Sequence, residues 1–341
     1  MNAENRPMKA KLTPQINNGK RLVLHEHIPL ATPLVMYIEP SGYCNFKCVF
    51  CPHGMKGLKL KKGIMPVKLL EKLIDDLSAF PDQIKLLRFC GCGEPLLNKD
   101  IVRFPQYARE RKIAERMELV TTGVLLTTEL IENLPRYLDR IVISIEGLSA
   151  EDYLRISKVN INYQELIEKL DALYANRGEC KIYIKIHNEA VPSESSKAMF
   201  FDLFGNRCDE IYIENLVPMW PQFDAAYATG KFRWGKEVVK RKVCAQIFKG
   251  VQVQADGEVV PCCIDWNRVN VIGNINNESV YEIWNGEKLR ALQIEHLLGN
   301  KDNTEPCKDC TMNDYCEIDN IDAYADECIQ RLTGNSVNLK P

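Results

Sequence analysis

No stretch of this 341-residue chain approaches the ~18–20 consecutive apolar residues of a membrane span, so it is not expected to cross a bilayer. The opening segment, MNAENRPMKAKLTPQ, has no apolar core and no small-residue cleavage site, which argues against a secretory signal. Charge of one sign is lacking too. There are 44 Lys and Arg against 46 Asp and Glu, a net charge of −2 and a poor basis for general binding to nucleic acid or an anionic membrane. Internal repeats and low-complexity segments are also missing. Cysteine is what stands out, with 14 in the chain. At about 4% this is well below the ~8–10% of a disulfide scaffold. Without an export signal the chain is expected in the cytoplasm with its thiols reduced. Clustered cysteines then point to metal or redox chemistry.

The first two thirds alternate in type. Short apolar runs at 35–39, 84–89, 117–120, 140–145, 182–186 and 211–213 predict six strands. Helical spacing predicts helices over 67–77, 101–111 and 163–174, one capped by Thr127 or Thr128, and a short one between the last two strands. Strand–helix alternation implies a parallel α/β sheet with right-handed crossovers. Six units are too few for a closed eight-fold barrel, so a partial (β/α)6 barrel is expected, its site at the C-terminal strand ends.

The expected organisation is an N-terminal extension (1–34), the barrel (35–216), a connector (217–243), a separate cysteine-bearing module (244–330) and a tail (331–341). Pro218-Met219-Trp220-Pro221, Phe232 and Trp234 mark the connector. In the module, alternating apolar residues around Asp256-Gly257 predict a hairpin over 250–260, and 289–298 a helix.

Cys44, Cys48 and Cys51 follow the first strand with C-x3-C-x2-C spacing. Zinc sites usually pair C-x2-C units and need four ligands. Three thiols on one loop suit a [4Fe–4S] cluster with one iron left open to a chelating ligand. In this the chain resembles the radical S-adenosylmethionine (radical SAM) superfamily. The resemblance implies that the amino and carboxylate groups of S-adenosylmethionine bind the open iron. It also implies that reductive cleavage gives a 5′-deoxyadenosyl radical that takes a hydrogen atom from substrate. Phe50 matches the aromatic that packs near the adenine. Gly93-Glu94-Pro95 resembles the element that holds the methionine amino group, with one glycine displaced because Gly91-Cys92 precedes it. Ser144 and Glu146 match the ribose positions, Arg155 the carboxylate position, and Thr121 and Thr122 lie at the same edge.

The last third carries Cys244, then Gly257-x4-Cys262, then Cys307-x2-Cys310-x5-Cys316, then Cys328. This is similar to the SPASM/twitch extension of radical SAM enzymes, found in anaerobic sulfatase-maturing enzymes, peptide maturases and aminocyclitol dehydrogenases. The position where a full SPASM domain has a further cysteine is Asn320. Two arrangements stay open. In one, Cys244, Cys262, Cys307 and Cys310 hold a single auxiliary cluster. In the other, Cys307, Cys310, Cys316 and Cys328 hold one cluster, and Cys244 and Cys262 an incomplete second, with Asp319 a candidate oxygen ligand. Cys263, Cys90, Cys180 and Cys208 are expected to be buried spectators.

The resemblance implies an oxidation or epimerisation, with an auxiliary cluster accepting the second electron and a flavodoxin or ferredoxin supplying the first. A carbohydrate or aminocyclitol-like substrate is favoured over a peptide, because only about 35 residues precede the first strand, too few for the ~80-residue peptide-recognition domain of many maturases. The competing class is a non-enzymatic iron–sulfur or zinc protein, which needs no S-adenosylmethionine pocket. No general base is legible.

Overall fold

The computed structural model describes residues 8–14, 21–55, 57–218, 231–235 and 237–334. A two-residue edge strand, β1 (Lys11–Leu12), and a short helix, α1 (Leu24–His27), come first. Six strands follow: β2 (Val35–Ile38), β3 (Leu86–Phe89), β4 (Met117–Thr121), β5 (Arg140–Ile145), β6 (Lys181–His187) and β7 (Glu210–Glu214). Between them run α2 (Val67–Asp76), α3 (Arg103–Arg111), α4 (Thr128–Asn133), α5 (Ala150–Ser157), α6 (Tyr163–Asn176) and α7 (Glu194–Phe204). Side chains of Thr127, Ser149, Asn162 and Ser193 cap α4, α5, α6 and α7 by accepting otherwise unpaired backbone N–H groups. Of the helices, α5 is one that apolar spacing did not announce.

The last third adds a hairpin, β8 (Gly250–Val253) and β9 (Glu258–Val260), then β10 (Gly273–Asn274). After it come α8 (Val280–Asn285), α9 (Glu287–Leu297), α10 (Met312–Tyr315) and α11 (Ala325–Thr333). All strands form one open sheet in the order β1-β7-β6-β5-β4-β3-β2-β8-β9-β10. Pairing is parallel from β1 to β8, so the alternation expected of a partial barrel is present.

The cysteine-bearing module joins the edge of the barrel sheet. Strand β8 pairs in parallel with β2 from Val35↔Gly250 to Ile38↔Val253. Gly250 permits this, because a Cβ there would sit 1.8 Å from the Val35 carbonyl oxygen. The extension is tied in as well. Leu24 and Ile28 share an apolar cluster with Ile247, Phe248, Leu297 and Ile329. In the connector, Phe232 is buried; residues 219–221 lie outside the described residues. Among the described residues no helix is long and apolar enough to cross a membrane.

One face of each barrel strand packs on the helices: Ile38, Leu87, Leu119, Ile143 and Ile184 meet Leu70, Phe104, Leu166 and Phe200 in one core. The other face is polar. Register places Tyr37 beside Arg88, Arg88 beside Glu118 and Glu118 beside Arg140. Glu118 is fully buried and accepts ion pairs from Arg88 (2.6 Å), Arg140 (2.7 Å) and Arg116 (3.1 Å). Burial alone would raise its carboxyl, yet the three guanidinium groups hold it below the usual carboxylate range. Arg140 reaches on to Glu210 at 3.1 Å, which links β4, β5 and β7.

Removing the charge at Glu118 strands buried guanidinium groups in a low-dielectric interior. Glu118→Gln is expected to cost about 3–5 kcal/mol of unfolding free energy by chemical denaturation. A loss no larger than the ~1 kcal/mol of a surface pair would sink this reading of the network.

Candidate functional site

The loops at the C-terminal strand ends meet in close contact. After β3, Gly91-Cys92-Gly93 lies against the loop that follows β2. A Cβ on Gly93 would come within 2.3 Å of the Ser41 and Tyr43 carbonyl oxygens, and one on Gly91 within 2.5 Å of Glu39 Cγ. The Cys92 N–H donates to Glu39 Oε2 at 2.8 Å, and the Glu94 N–H to the Tyr43 carbonyl at 2.8 Å. The Gly93-Glu94-Pro95 turn is thereby clamped beside Cys44.

Glu94 is buried, and Pro95 opens the short 3-10 turn after it. Its carboxylate accepts from Thr121 Oγ1 (2.5 Å) and from the backbone N–H groups of Leu96 (3.1 Å) and Thr122 (2.9 Å). Thr121 and Thr122 therefore orient Glu94.

The triad loop rests on α5. Lys47 and Val49 donate backbone N–H bonds to Ser157 and Ile156, each at 2.9 Å, and Phe46 meets Tyr153 edge-on. Cys44, Cys48 and Cys51 are all free thiols. Burial, with the charges of Glu94 and Glu146 adding to it, raises Cys44 to about 11, and burial raises Cys51 to about 12. Such thiols are deprotonated only when a metal takes the proton's place.

A pocket at the barrel mouth brings together Phe50, Ser144 and Glu146 with Lys185, His187, Glu214 and Arg233, none of which the sequence singled out. Their signal was present: Lys185 and His187 are alternate residues of β6 on its polar face. Burial raises Glu146 to about 7 and lowers His187 to about 4. Glu146 Oε2 and both ring nitrogens of His187 are buried without a hydrogen-bond partner, Oε2 standing 3.6 Å from Nε2. Each such group costs about 1–3 kcal/mol unless something polar binds there. Glu214 is the opposite case. It accepts from Lys185 (3.1 Å), Arg233 (2.7 Å) and the Trp234 indole (3.2 Å). Burial alone would raise it, but Arg233 and Lys185 hold it at about 2. Arg155 sits further out, over half exposed and paired with Asp152 at 2.8 Å, beside Phe50 and His187 at the rim.

In the C-terminal part, Cys244, Cys262, Cys307 and Cys310 line one pocket. They ring a space rather than converge on a point. Among the described residues no three His, Cys, Asp or Glu side chains are close enough to hold a single metal ion.

The other candidates, Cys316, Cys328 and Asp319, do not line this pocket. Cys328 is buried on α11 in the apolar cluster of Leu24 and Ile28, its thiol 3.8 Å from the His25 carbonyl oxygen. Cys316 faces the barrel mouth, where Arg233 donates to it beside Glu214. Asp319 is taken by Lys249 (3.2 Å) and Arg21 (2.7 Å). Cys263 is no isolated core thiol: it hydrogen-bonds Cys262 and feels the charges of Arg88 and Arg233.

Residues 38–189 match the family model of the radical SAM superfamily, and residues 244–311 that of the SPASM iron–sulfur cluster-binding domain. The chain carries both domains and is a radical SAM enzyme. The two domains imply a [4Fe–4S] cluster used with S-adenosylmethionine and auxiliary iron–sulfur chemistry. Among curated proteins it is 22% identical over 277 residues to the S-adenosyl-L-methionine-dependent 2-deoxy-scyllo-inosamine dehydrogenase of Niallia circulans, covering 80% of this chain and 90% of that protein. It is 29% identical over 122 residues to the AdoMet-dependent heme synthase of Methanosarcina barkeri, about a third of either chain. Similar solved structures include BtrN with AdoMet and 2-DOIA (TM-score 0.55, 20% identity, covering 81% of this chain and 92% of that one). Another is anSMEcpe with bound AdoMet (TM-score 0.57, 17% identity, covering 90% and 100%).

The clamp at Gly93 is open to direct test. Gly93→Ala forces a methyl against two carbonyl oxygens and is expected to cost about 1–3 kcal/mol in chemical denaturation. Wild-type stability in that variant would refute the close approach.

Proposed function

We propose that this radical SAM enzyme oxidises an alcohol carbon of a carbohydrate or aminocyclitol-like small molecule, with one auxiliary cluster as the acceptor of the second electron. The observation that carries this reading is the single ring of Cys244, Cys262, Cys307 and Cys310 behind the barrel mouth, the ligand set of a one-cluster arrangement. Similarity along most of its length to an aminocyclitol dehydrogenase supports the substrate class.

On this reading Cys44, Cys48 and Cys51 hold the radical-generating cluster, and residues 35–216 and 244–330 are the working units. The orphaned polar atoms at the barrel mouth are what a bound nucleoside would satisfy, so the residues present fit that group. When bound, the cluster and S-adenosylmethionine supply a 5′-deoxyadenosyl radical that takes a hydrogen atom from substrate. The protein's own part is placement. Phe50 packs on the adenine, Ser144 and Glu146 take the ribose hydroxyls, and Glu94, held by Thr121 and Thr122, receives the methionine amino group. Glu214 is already saturated and ionised, so it anchors Lys185 and Arg233 and does not take a proton. A reduced flavodoxin or ferredoxin is the expected electron donor.

Anaerobic reconstitution tests the reading. The reduced protein is expected to convert S-adenosylmethionine to 5′-deoxyadenosine and methionine, faster with the right member of an aminocyclitol and sugar panel than with peptides. Stimulation by peptides alone would transfer the activity to side-chain maturation, and no 5′-deoxyadenosine at full iron loading would sink the chemistry.

Iron counting tests the ligand assignment independently. The Cys44/Cys48/Cys51→Ala variant is expected to retain ~4 iron atoms and to lose them when Cys307→Ala is added, whereas Cys328→Ala leaves the count unchanged. Iron lost on Cys328→Ala would restore the two-cluster arrangement.

A further inference from the structure

The cysteine-lined pocket contains a buried imidazole that the ligand set leaves unused. His296 lies in the last turn of α9, has no exposed surface, and lines the same pocket as the four thiols. Neither ring nitrogen has a hydrogen-bond partner.

Its position is fixed from both sides. One turn earlier, Gln293 Nε2 donates to the Ile247 carbonyl at 3.0 Å, which pins α9 to the turn that begins after Cys244. Beyond the helix, Lys301 Nζ donates to the carbonyls of Cys307 (3.0 Å) and Cys310 (3.4 Å), which pins the other two cysteines. Whether neutral or protonated, an imidazole carries at least one N–H, so the buried ring always has a donor to place. Of the acceptors lining this pocket, Asp265 already accepts from the Val269 and Asn270 N–H groups, and the four thiol sulfurs stand beside Asn313 as the remaining ones. Hydrogen bonds to cluster sulfurs are among the factors that set reduction potential, because they stabilise the more negative, reduced state.

We propose that His296 donates its N–H to a sulfur of the auxiliary cluster held by Cys244, Cys262, Cys307 and Cys310, and so raises that cluster's reduction potential. The role is that of a positioning and tuning residue. It suits a cluster that must take an electron from a substrate radical rather than give one. The inference rests on the four thiols holding one cluster.

The test uses the full chain with Cys44, Cys48 and Cys51 replaced by Ala, so that only the auxiliary iron is observed. In a redox titration followed by electron paramagnetic resonance, His296→Leu is expected to disfavour reduction roughly tenfold, about 59 mV lower for a one-electron couple. His296→Gln, which keeps an N–H donor, is expected to recover part of that shift. With 15N-labelled histidine, the reduced parent should show one weak nitrogen coupling. An unchanged potential in His296→Leu overturns the proposal, as does the absence of any 15N coupling. A strong coupling of the kind a metal-bound nitrogen gives overturns it in favour of ligation. Should His296→Leu fail to load iron, the labelled parent still decides. Failure of the underlying reading looks different: the parent would hold no auxiliary iron, or would keep it after Cys307→Ala.

Discussion

The ion network on Glu118 is the constraint on which the rest of the barrel depends. A parallel sheet covered by helices on one face must do something with its alternate residues on the other. Here that face is not an apolar plug. Tyr37, Arg88, Glu118, Arg140 and Tyr183 follow one another across neighbouring strands, and the guanidinium groups of Arg88 and Arg140 lie 5.9 and 5.1 Å from the tyrosine rings. A charged interior of this kind is tolerable only when its pairs are complete. Glu118 completes it by accepting three arginines at once, and Arg140 extends it to β7 through Glu210. Toward the strand ends Glu214 repeats the arrangement with Lys185 and Arg233. The mouth pocket therefore sits on a floor whose charges are already neutralised. Facing the cavity are Glu146 and His187, whose Oε2 and Nε2 atoms stand 3.6 Å apart without a hydrogen bond.

Much of this was legible in the sequence, for identifiable reasons. Aliphatic runs such as RIVISI and KIYIKIH predict strands because their branched side chains pack on the helices. C-x3-C-x2-C and C-x2-C place thiols at separations that the local chain alone fixes. Long-range partnerships were not legible. Nothing in GVQV says that it pairs with VMYI more than 200 residues earlier, since any buried strand offers the same backbone groups. Helix α5 escaped notice because its apolar contacts, Tyr153 and Ile156, are few, although Ser149 followed by Glu151 and Asp152 is a serviceable N-terminal signal. The pocket charges were hidden for a related reason: a strand's polar face reads as solvent-exposed until the fold shows it to be interior.

The C-terminal cysteines show the limit of spacing most clearly. Cys316 continues the run from Cys307 and Cys310, so spacing alone makes it their equal. Two features separate it. It lies at the end of α10, and the segment around Tyr315 is held toward the barrel, where the Arg233 N–H donates to the Tyr315 carbonyl at 2.9 Å. Its thiol is drawn to Arg233 and away from the pocket of the other four. With Asn320 in place of a further thiol, the rest of a second ligand set is not assembled around it. The same chain of contacts, Cys262 to Cys263 and Cys316 to Arg233 and Glu214, joins the cysteine pocket to the barrel mouth.

The departure in the glycine motif follows from the same geometry. What matters at the edge of the barrel is not two adjacent glycines but where the two loops touch. Gly91 faces the Glu39 side chain and Gly93 faces the Ser41 and Tyr43 carbonyls, while the residue between them contributes only its backbone N–H, donated to Glu39. A side chain is therefore excluded at 91 and 93 and permitted at 92, where Cys92 stands. Glu39 also reaches the hairpin, accepting from the Ala255 N–H at 3.4 Å and lying 3.6 Å from Arg268. One buried carboxylate thus sets the spacing between the triad loop, the glycine loop and the cysteine module. Sliding the glycine pattern by one residue leaves that spacing intact, whereas adding a side chain at either contact does not.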